Sequence, residues 1–176
     1  MSLGLQRGKV KLVPYDPEWA IIFNGEKTKL KEVLGADLLD AEHIGSTSIP
    51  GMDAKPILDL MVAVEQVDDY SRYVVPLERL GYAFRRDERN DQEHVLFVKG
   101  PEELRTHYLK LTTLSSRFWQ EHILFRDYLI NHPERAAEYK QLKHDLLEKH
   151  GGERPNYTED KVTFIKETLT LAEEEP

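Results

Sequence analysis

The sequence predicts a mixed α/β fold, of the α+β kind, followed by a purely helical C-terminal part. Three observations predict it. Short apolar or alternating runs, bounded by Gly, Pro or polar turns, recur between positions 37 and 112 and read as strands. Two stretches with apolar residues at helical spacing, each stopped by a glycine, stand one before and one among them. Beyond Thr113 the apolar patterns are all helical and the strand signals cease.

Val10 to Val13 alternates and is closed by Pro14, which suits a short edge strand. Asp16-Pro17-Glu18 opens a helix, with Asp16 as N-cap and Pro17 as first residue. Trp19, Ile22, Phe23, Leu30, Val33 and Leu34 give its apolar face and Gly35 its end. Asp37 to Ile44 and Pro56 to Val64 are the first two main strands. Asp68 to Leu80 reads as a helix stopped by Gly81, with Pro76 expected to kink or shorten it. Tyr82 to Arg85 is a short strand and Asp87 to Gln92 a polar loop. Glu93 to Lys99 and Arg105 to Thr112 form a hairpin around Gly100-Pro101. Ser116 to Ile130, Pro133 to His150 and Tyr157 to Ala172 are the three later helices, with Ser115 or Ser116 capping the first and Gly151-Gly152 ending the second. Trp19, Phe23, Phe118, Trp119 and Phe125 are core residues. The expected organisation is a core over 8–113 and a helical extension over 114–173, packed on it as one compact unit and closing one side of a cleft.

Composition narrows the function classes. Of 176 residues, 40% are hydrophobic and 32% charged, which suits a globular domain. No apolar run approaches the roughly 20 residues of a membrane span, and the first residues lack a signal-peptide core. There is no cysteine, which excludes disulfides, thiolate zinc sites and a Cys nucleophile and fits a cytoplasmic protein. The net charge of −8 argues against nucleic acid as partner.

The chemistry gathers in Glu42-His43-Ile44-Gly45-Ser46-Thr47-Ser48-Ile49-Pro50-Gly51-Met52 and Lys55-Pro56-Ile57-Leu58-Asp59-Leu60. Gly45 permits a close backbone approach; Ser46, Thr47 and Ser48 offer hydroxyls and amides that suit a phosphate. Asp59 is a carboxylate inside an apolar strand, a place that demands a partner or a metal. Lys55, Lys110 and Arg105 are candidate ion-pair partners for it. His43 reads as a partly buried, hydrogen-bonded histidine. Neither a dinucleotide-binding glycine motif nor a P-loop is present.

Gly45-Ser46, twelve residues, then Asp59 resembles the signature of the nucleotidyltransferase fold of the DNA polymerase β superfamily. The longer motif, together with Phe125-Arg126-Asp127-Tyr128-Leu129, Tyr139-Lys140-Gln141-Leu142-Lys143 and Tyr157-Thr158-Glu159-Asp160-Lys161, is similar to the GrpB family over nearly the whole chain. The resemblance implies a nucleotidyltransferase-type mixed, mostly antiparallel sheet with a C-terminal helical bundle. It implies a divalent cation, Mg or Mn, and a nucleoside triphosphate or phosphorylated small molecule. Gly45, Ser46, Thr47 and Ser48 would hold phosphate, Asp59 a metal, and Lys55 would neutralise charge. Lys110, Arg126, Lys143 and Lys161 are further phosphate contacts.

In the superfamily a second carboxylate stands two residues after the first; here Met61 takes that place, a poor ligand for magnesium. Glu42 and Glu93 are the candidate replacements, and His107, near the third position, is a candidate softer ligand or base. Lys110 stands where the family usually shows a second histidine. Arg126 and Asp127 also fit an ion pair tying the helices to the sheet. Tyr139, Lys143, Tyr157 and Lys161 either face the cleft or serve packing and surface. Two functions follow: a metal-dependent nucleotidyltransferase-like enzyme, or a non-catalytic nucleotide-binding module linked to coenzyme A metabolism. Met61 favours the second, as does the fusion, in some bacteria, of a similar domain to dephospho-coenzyme A kinase. A role on RNA is disfavoured by the charge.

Overall fold

The computed structural model describes residues 3–85, 93–152, 157 and 159–175. In chain order the elements are α1 (Glu18–Leu34), β1 (Asp40–Ile44), β2 (Leu58–Ala63), α2 (Ser71–Arg79), β3 (Tyr82–Phe84), β4 (His94–Lys99) and β5 (His107–Thr112). Then come α3 (Arg117–Asn131), α4 (Pro133–His150) and α5 (Val162–Glu174). The strands form one open sheet in the order β1-β2-β5-β4-β3. Only β2 and β5 pair in parallel; β1–β2, β4–β5 and β3–β4 are antiparallel. The expected mixed, mostly antiparallel sheet is therefore present.

The two-residue period of the strands divides the sheet into two faces. On one, Leu58, Leu60, Val62, Leu109, Leu111, Val95 and Phe97 pack beneath Trp19, Phe23 and Leu30 of α1 and Tyr73 and Leu77 of α2. This is the main core. On the other, Ile44, Met61 and Ala63 meet Trp119 of α3. Ile49 and Met52, just beyond β1, pack against Leu129 and Tyr139 of α3 and α4. The C-terminal helices thus dock on the turn that follows β1, which forms the floor of the candidate site.

Several expected boundaries move. Val10 to Val13 is not an edge strand: Val13 makes one isolated bridge to Ala54, and the Val10 amide bonds the Gly152 carbonyl. An isolated segment with Pro14 behind it has no sheet edge to extend. The first strand starts at Asp40, because Gly35–Asp37 forms a 3₁₀ turn. Pro76 lies inside α2, which runs on three residues past it to Arg79. α1 begins at Glu18, with the Asp16 carboxylate accepting the Glu18 amide at 3.0 Å. Ser116 caps α3, accepting the Trp119 amide at 3.0 Å. α4 starts at Pro133 and ends in left-handed Gly151. The expected loop over 87–92 lies outside the described residues. Among the described residues no helix is long and apolar enough to cross a membrane.

Candidate functional site

β1 and β2 pair so that Ile44 stands opposite Asp59, and the chain turns immediately after Ile44. Gly45 adopts φ 71°, ψ −175°, a conformation essentially confined to glycine. A Cβ there would lie 3.1 Å from Asp59 Oδ2 and 3.2 Å from Asp59 Cβ. The glycine is what lets the turn rest on the carboxylate. Ser46–Ser48 continues as a single 3₁₀ turn. The Ser48 hydroxyl donates back to the Gly45 carbonyl at 2.6 Å, so it is used inside the turn. His43 is buried, shares a 2.9 Å hydrogen bond with Thr47 Oγ1 and stacks on Phe23. Burial pushes its pKa down to about 4, although Asp59 pulls the other way. It is a neutral brace for the turn.

Above the turn lies a cleft of about 130 Å³, lined by Gly45, Ser46, Thr47, Lys55, Asp59, Tyr139, Lys143, Tyr157 and Lys161, among others. Tyr139 and Lys143 are four residues apart on α4 and so share a face. Lys143 is only 2% exposed. Its Nζ donates to Ser46 Oγ at 3.1 Å and to the Asp53 carbonyl, and sits 5.0 Å from the Tyr139 ring centre. Burial first, then the neighbouring cations Lys161, Lys140 and Lys55, push the Lys143 pKa down to about 7, against the pull of Asp53. Burial raises Tyr139 to about 12, opposed by a hydrogen bond with Ser46. Lys161 lies 4.6 Å from the centre of the Tyr157 ring.

The structure therefore brings Gly45, Ser46, Thr47, Lys55, Asp59, Lys143 and Lys161 to one cleft. The other candidates do not line it. Lys110 donates to Asp59 Oδ1 at 3.1 Å, where it neutralises the acid. Arg126 binds Glu42 at 2.5 Å, the His43 carbonyl at 2.9 Å and Asp127 at 2.7 Å, tying α3 to β1. Glu93 precedes β4, five residues before Val98, which aligns through Tyr108 with Asp59. His107 projects to the α1 side of the sheet, edge-on to Tyr82. There its Nδ1 meets Thr106 Oγ1 at 2.8 Å, and its Nε2 is buried with no hydrogen-bond partner. Residues 107 and 110 are an odd number apart on one strand, so they face opposite sides.

These positions test the implied divalent cation. Met61 is fully buried among Ile44, Ala63 and Trp119, so an apolar contact occupies the place of a second carboxylate. Asp59 is held by a lysine, Glu42 by an arginine, and Glu93 and His107 lie away from Asp59. Among the described residues no three His, Cys, Asp or Glu side chains form a group that could hold a metal. The donor set does not fit a two-ion centre.

Asp53 was not singled out by the sequence. Its carboxylate binds Lys140 at 2.8 Å and His144 at 2.8 Å, and its carbonyl binds Lys143. Despite burial, Lys140 and His144 hold its carboxyl below the usual range. The available signal was the i, i+4 pair Lys140 and His144, which presents a lysine and a histidine along one helix face.

A family profile described as GrpB protein matches residues 9–170. A UPF0157 protein of Pseudomonas aeruginosa is 38% identical over 93% of this chain and 68% of its own length. The glutamate-rich protein GrpB of Alkalihalophilus pseudofirmus is 35% identical over 95% of this chain and 98% of its own. The crystal structure of conserved protein GrpB from Enterococcus faecalis superposes with a TM-score of 0.83 at 33% identity, covering 92% of this chain and 96% of that one. A dephospho-CoA kinase of Mycolicibacterium paratuberculosis shares 36% identity over 44% of this chain and 20% of its own length. The Cid1 poly(U) polymerase structure is a remote likeness, at 12% identity and a TM-score of 0.47.

Proposed function

The chain belongs to the GrpB family, and we propose that its Gly45–Ser46 cleft binds a nucleotide or phosphorylated small molecule without a bound divalent cation. The observation that carries this reading is the convergence of Lys55, Lys143 and Lys161 on the turn, while Lys110 holds the Asp59 carboxylate. Within the turn the Ser48 amide bonds Gly45 O and the Ile49 amide bonds Ser46 O. The Ser46 and Thr47 amides open it, so they are the backbone donors an anion would meet. Tyr139 and Tyr157 supply apolar, polarisable walls beside the cations. In a metal-dependent transferase of this fold, ions would carry the positive charge against the phosphates. Here the lysines carry it, which supports the non-catalytic binding module over the transferase. The partial likeness to dephospho-CoA kinases makes dephospho-coenzyme A a rational probe beside ATP and ADP.

Isothermal titration of the full chain with ATP, ADP and dephospho-coenzyme A, in EDTA and again in Mg²⁺ or Mn²⁺, tests the reading. Binding of at least one probe in EDTA, weakened at least tenfold by Lys55→Ala or Lys161→Ala, is expected. Heat that appears only with the metal would restore the metal-dependent transferase; no heat under any condition would remove the binding reading.

A further inference from the structure

Resting on the phosphate-binding reading of the cleft, we infer that its ligand class is a phosphoryl polyanion bound with uptake of one proton. The Lys143 amine takes that proton from solvent. The geometry supports this at each step. The Lys143 nitrogen has two acceptors in place, Ser46 Oγ at 3.1 Å and the Asp53 carbonyl. Two acceptors match the two N–H bonds of a neutral amine. A third N–H forms when the lone pair takes a proton, and Lys143 lines the cleft that an anion would fill.

The surroundings make that third proton conditional. On its own helix Lys143 faces Tyr139 and Lys140. The segment before β2 contributes Lys55 and Asp53, and the start of α5 contributes Lys161. Ser46 is the contact from the turn, with Tyr157 and Asp59 across the cleft. The facing cations outnumber the facing carboxylates. Moreover, Asp53 is held by Lys140 and His144, and Asp59 by Lys110. A buried ammonium among three other lysines is disfavoured by both desolvation and repulsion. The Lys143 pKa of about 7 follows from those two causes. A phosphoryl group against Lys143 reverses both: it supplies opposite charge and accepts the third N–H as a charge-assisted bond. The balance is simple. One proton leaves the buffer, the amine becomes an ammonium, and no covalent bond of the ligand changes. The consequence is selectivity for phosphates of high negative charge over neutral ligands of similar shape, since only charge draws the proton.

The test is titration of the full chain with ATP, and separately with inorganic pyrophosphate, in EDTA. Each is run in two buffers of different ionisation enthalpy. At pH 8 a group with a free pKa of about 7 is mostly neutral, so uptake of ~0.9 proton is expected, falling to ~0.1 at pH 6. The ligands' own phosphates would release protons on meeting a cationic site, which is the opposite sign. Lys143→Arg, permanently charged, is expected to bind with no proton uptake at either pH; Lys143→Gln gives the same proton count if the arginine variant fails to fold. His144→Asn, which removes the neighbouring titratable group, is expected to keep the uptake. Binding at pH 8 with no buffer dependence, or uptake that persists in Lys143→Arg, overturns the inference and leaves the binding reading standing. Failure of ATP and pyrophosphate to bind overturns this inference, while the binding reading falls only if ADP and dephospho-coenzyme A fail as well.

Discussion

Gly45 is the residue on which the candidate site depends. Its backbone angles, and the 3.1 Å that would separate a Cβ there from Asp59 Oδ2, both disfavour a side chain. Gly45→Ala is expected to lower stability by about 1–3 kcal/mol, read from urea denaturation midpoints; an unchanged midpoint would show that the turn is not under this constraint. Asp59 gives a sharper contrast. Its partner Lys110 is partly exposed, so Asp59→Asn is expected to cost less than about 1 kcal/mol of stability. Losing a negative charge beside the cleft, and releasing Lys110, is expected to tighten ATP binding by roughly 5-fold, the scale of one contact between unit charges in a water-like medium. A metal-holding Asp59 would give the reverse, a loss of affinity, in the same titration.

At the level of elements, α1 is bound to the far edge of the sheet by a buried acid. Glu26 is 3% exposed and accepts from Tyr82 on β3, from Lys99 at the end of β4 and from Lys29 on its own helix, each at 2.9 Å. Burial alone would raise its pKa, but these three donors prevail and hold it at about 2. The folded-state pKa is thus below the unfolded value of 4.5. The stabilisation is present above the unfolded value and disappears as pH falls through the folded one. Glu26→Gln is expected to cost about 2–3 kcal/mol at pH 7, the scale of hydrogen bonds to a charged group. The gap between wild type and variant is expected to close between pH 4.5 and 2, measured by denaturation across pH. A gap that stays constant over that window would contradict the charged state of Glu26.

For the whole molecule, two buried histidines contribute to its sensitivity to acid. His43 braces the turn beneath Phe23 of α1, and His107 lies by Tyr82 on the same face of the sheet. Burial depresses both to about 4 from 6.5. Between those values the unfolded chain binds more protons than the folded one, so stability falls as pH falls from 6.5 towards 4. The loss expected is about 1–2 kcal/mol per histidine by pH 5. Urea midpoints at pH 7 and pH 5 measure it, and His107→Gln is expected to flatten the slope. Equal midpoints at the two pH values would show that these imidazoles are solvated.

The strands and helices were legible because burial leaves a trace: apolar runs bounded by turns in β2 and β5, helical spacing in α1, glycine stops at Gly35 and Gly151. Gly45, Ser46 and Asp59 were legible for a related reason. A glycine and a lone acid in apolar surroundings each require a special environment, and local sequence shows that requirement. Partners across the fold leave no such trace. That Asp59 meets Lys110, that Glu42 meets Arg126 of α3, and that Asp53 gathers Lys140, Lys143 and His144 follows from strand register and helix docking. His107 shows the same limit: its place near the superfamily's third carboxylate position suggested the site, and strand alternation turned it to the other face. The sequence by itself determined the family, the sheet-and-helix architecture and the turn that holds the site. The tertiary structure decided the charge of that site, because Coulomb interactions depend on distances that only packing sets.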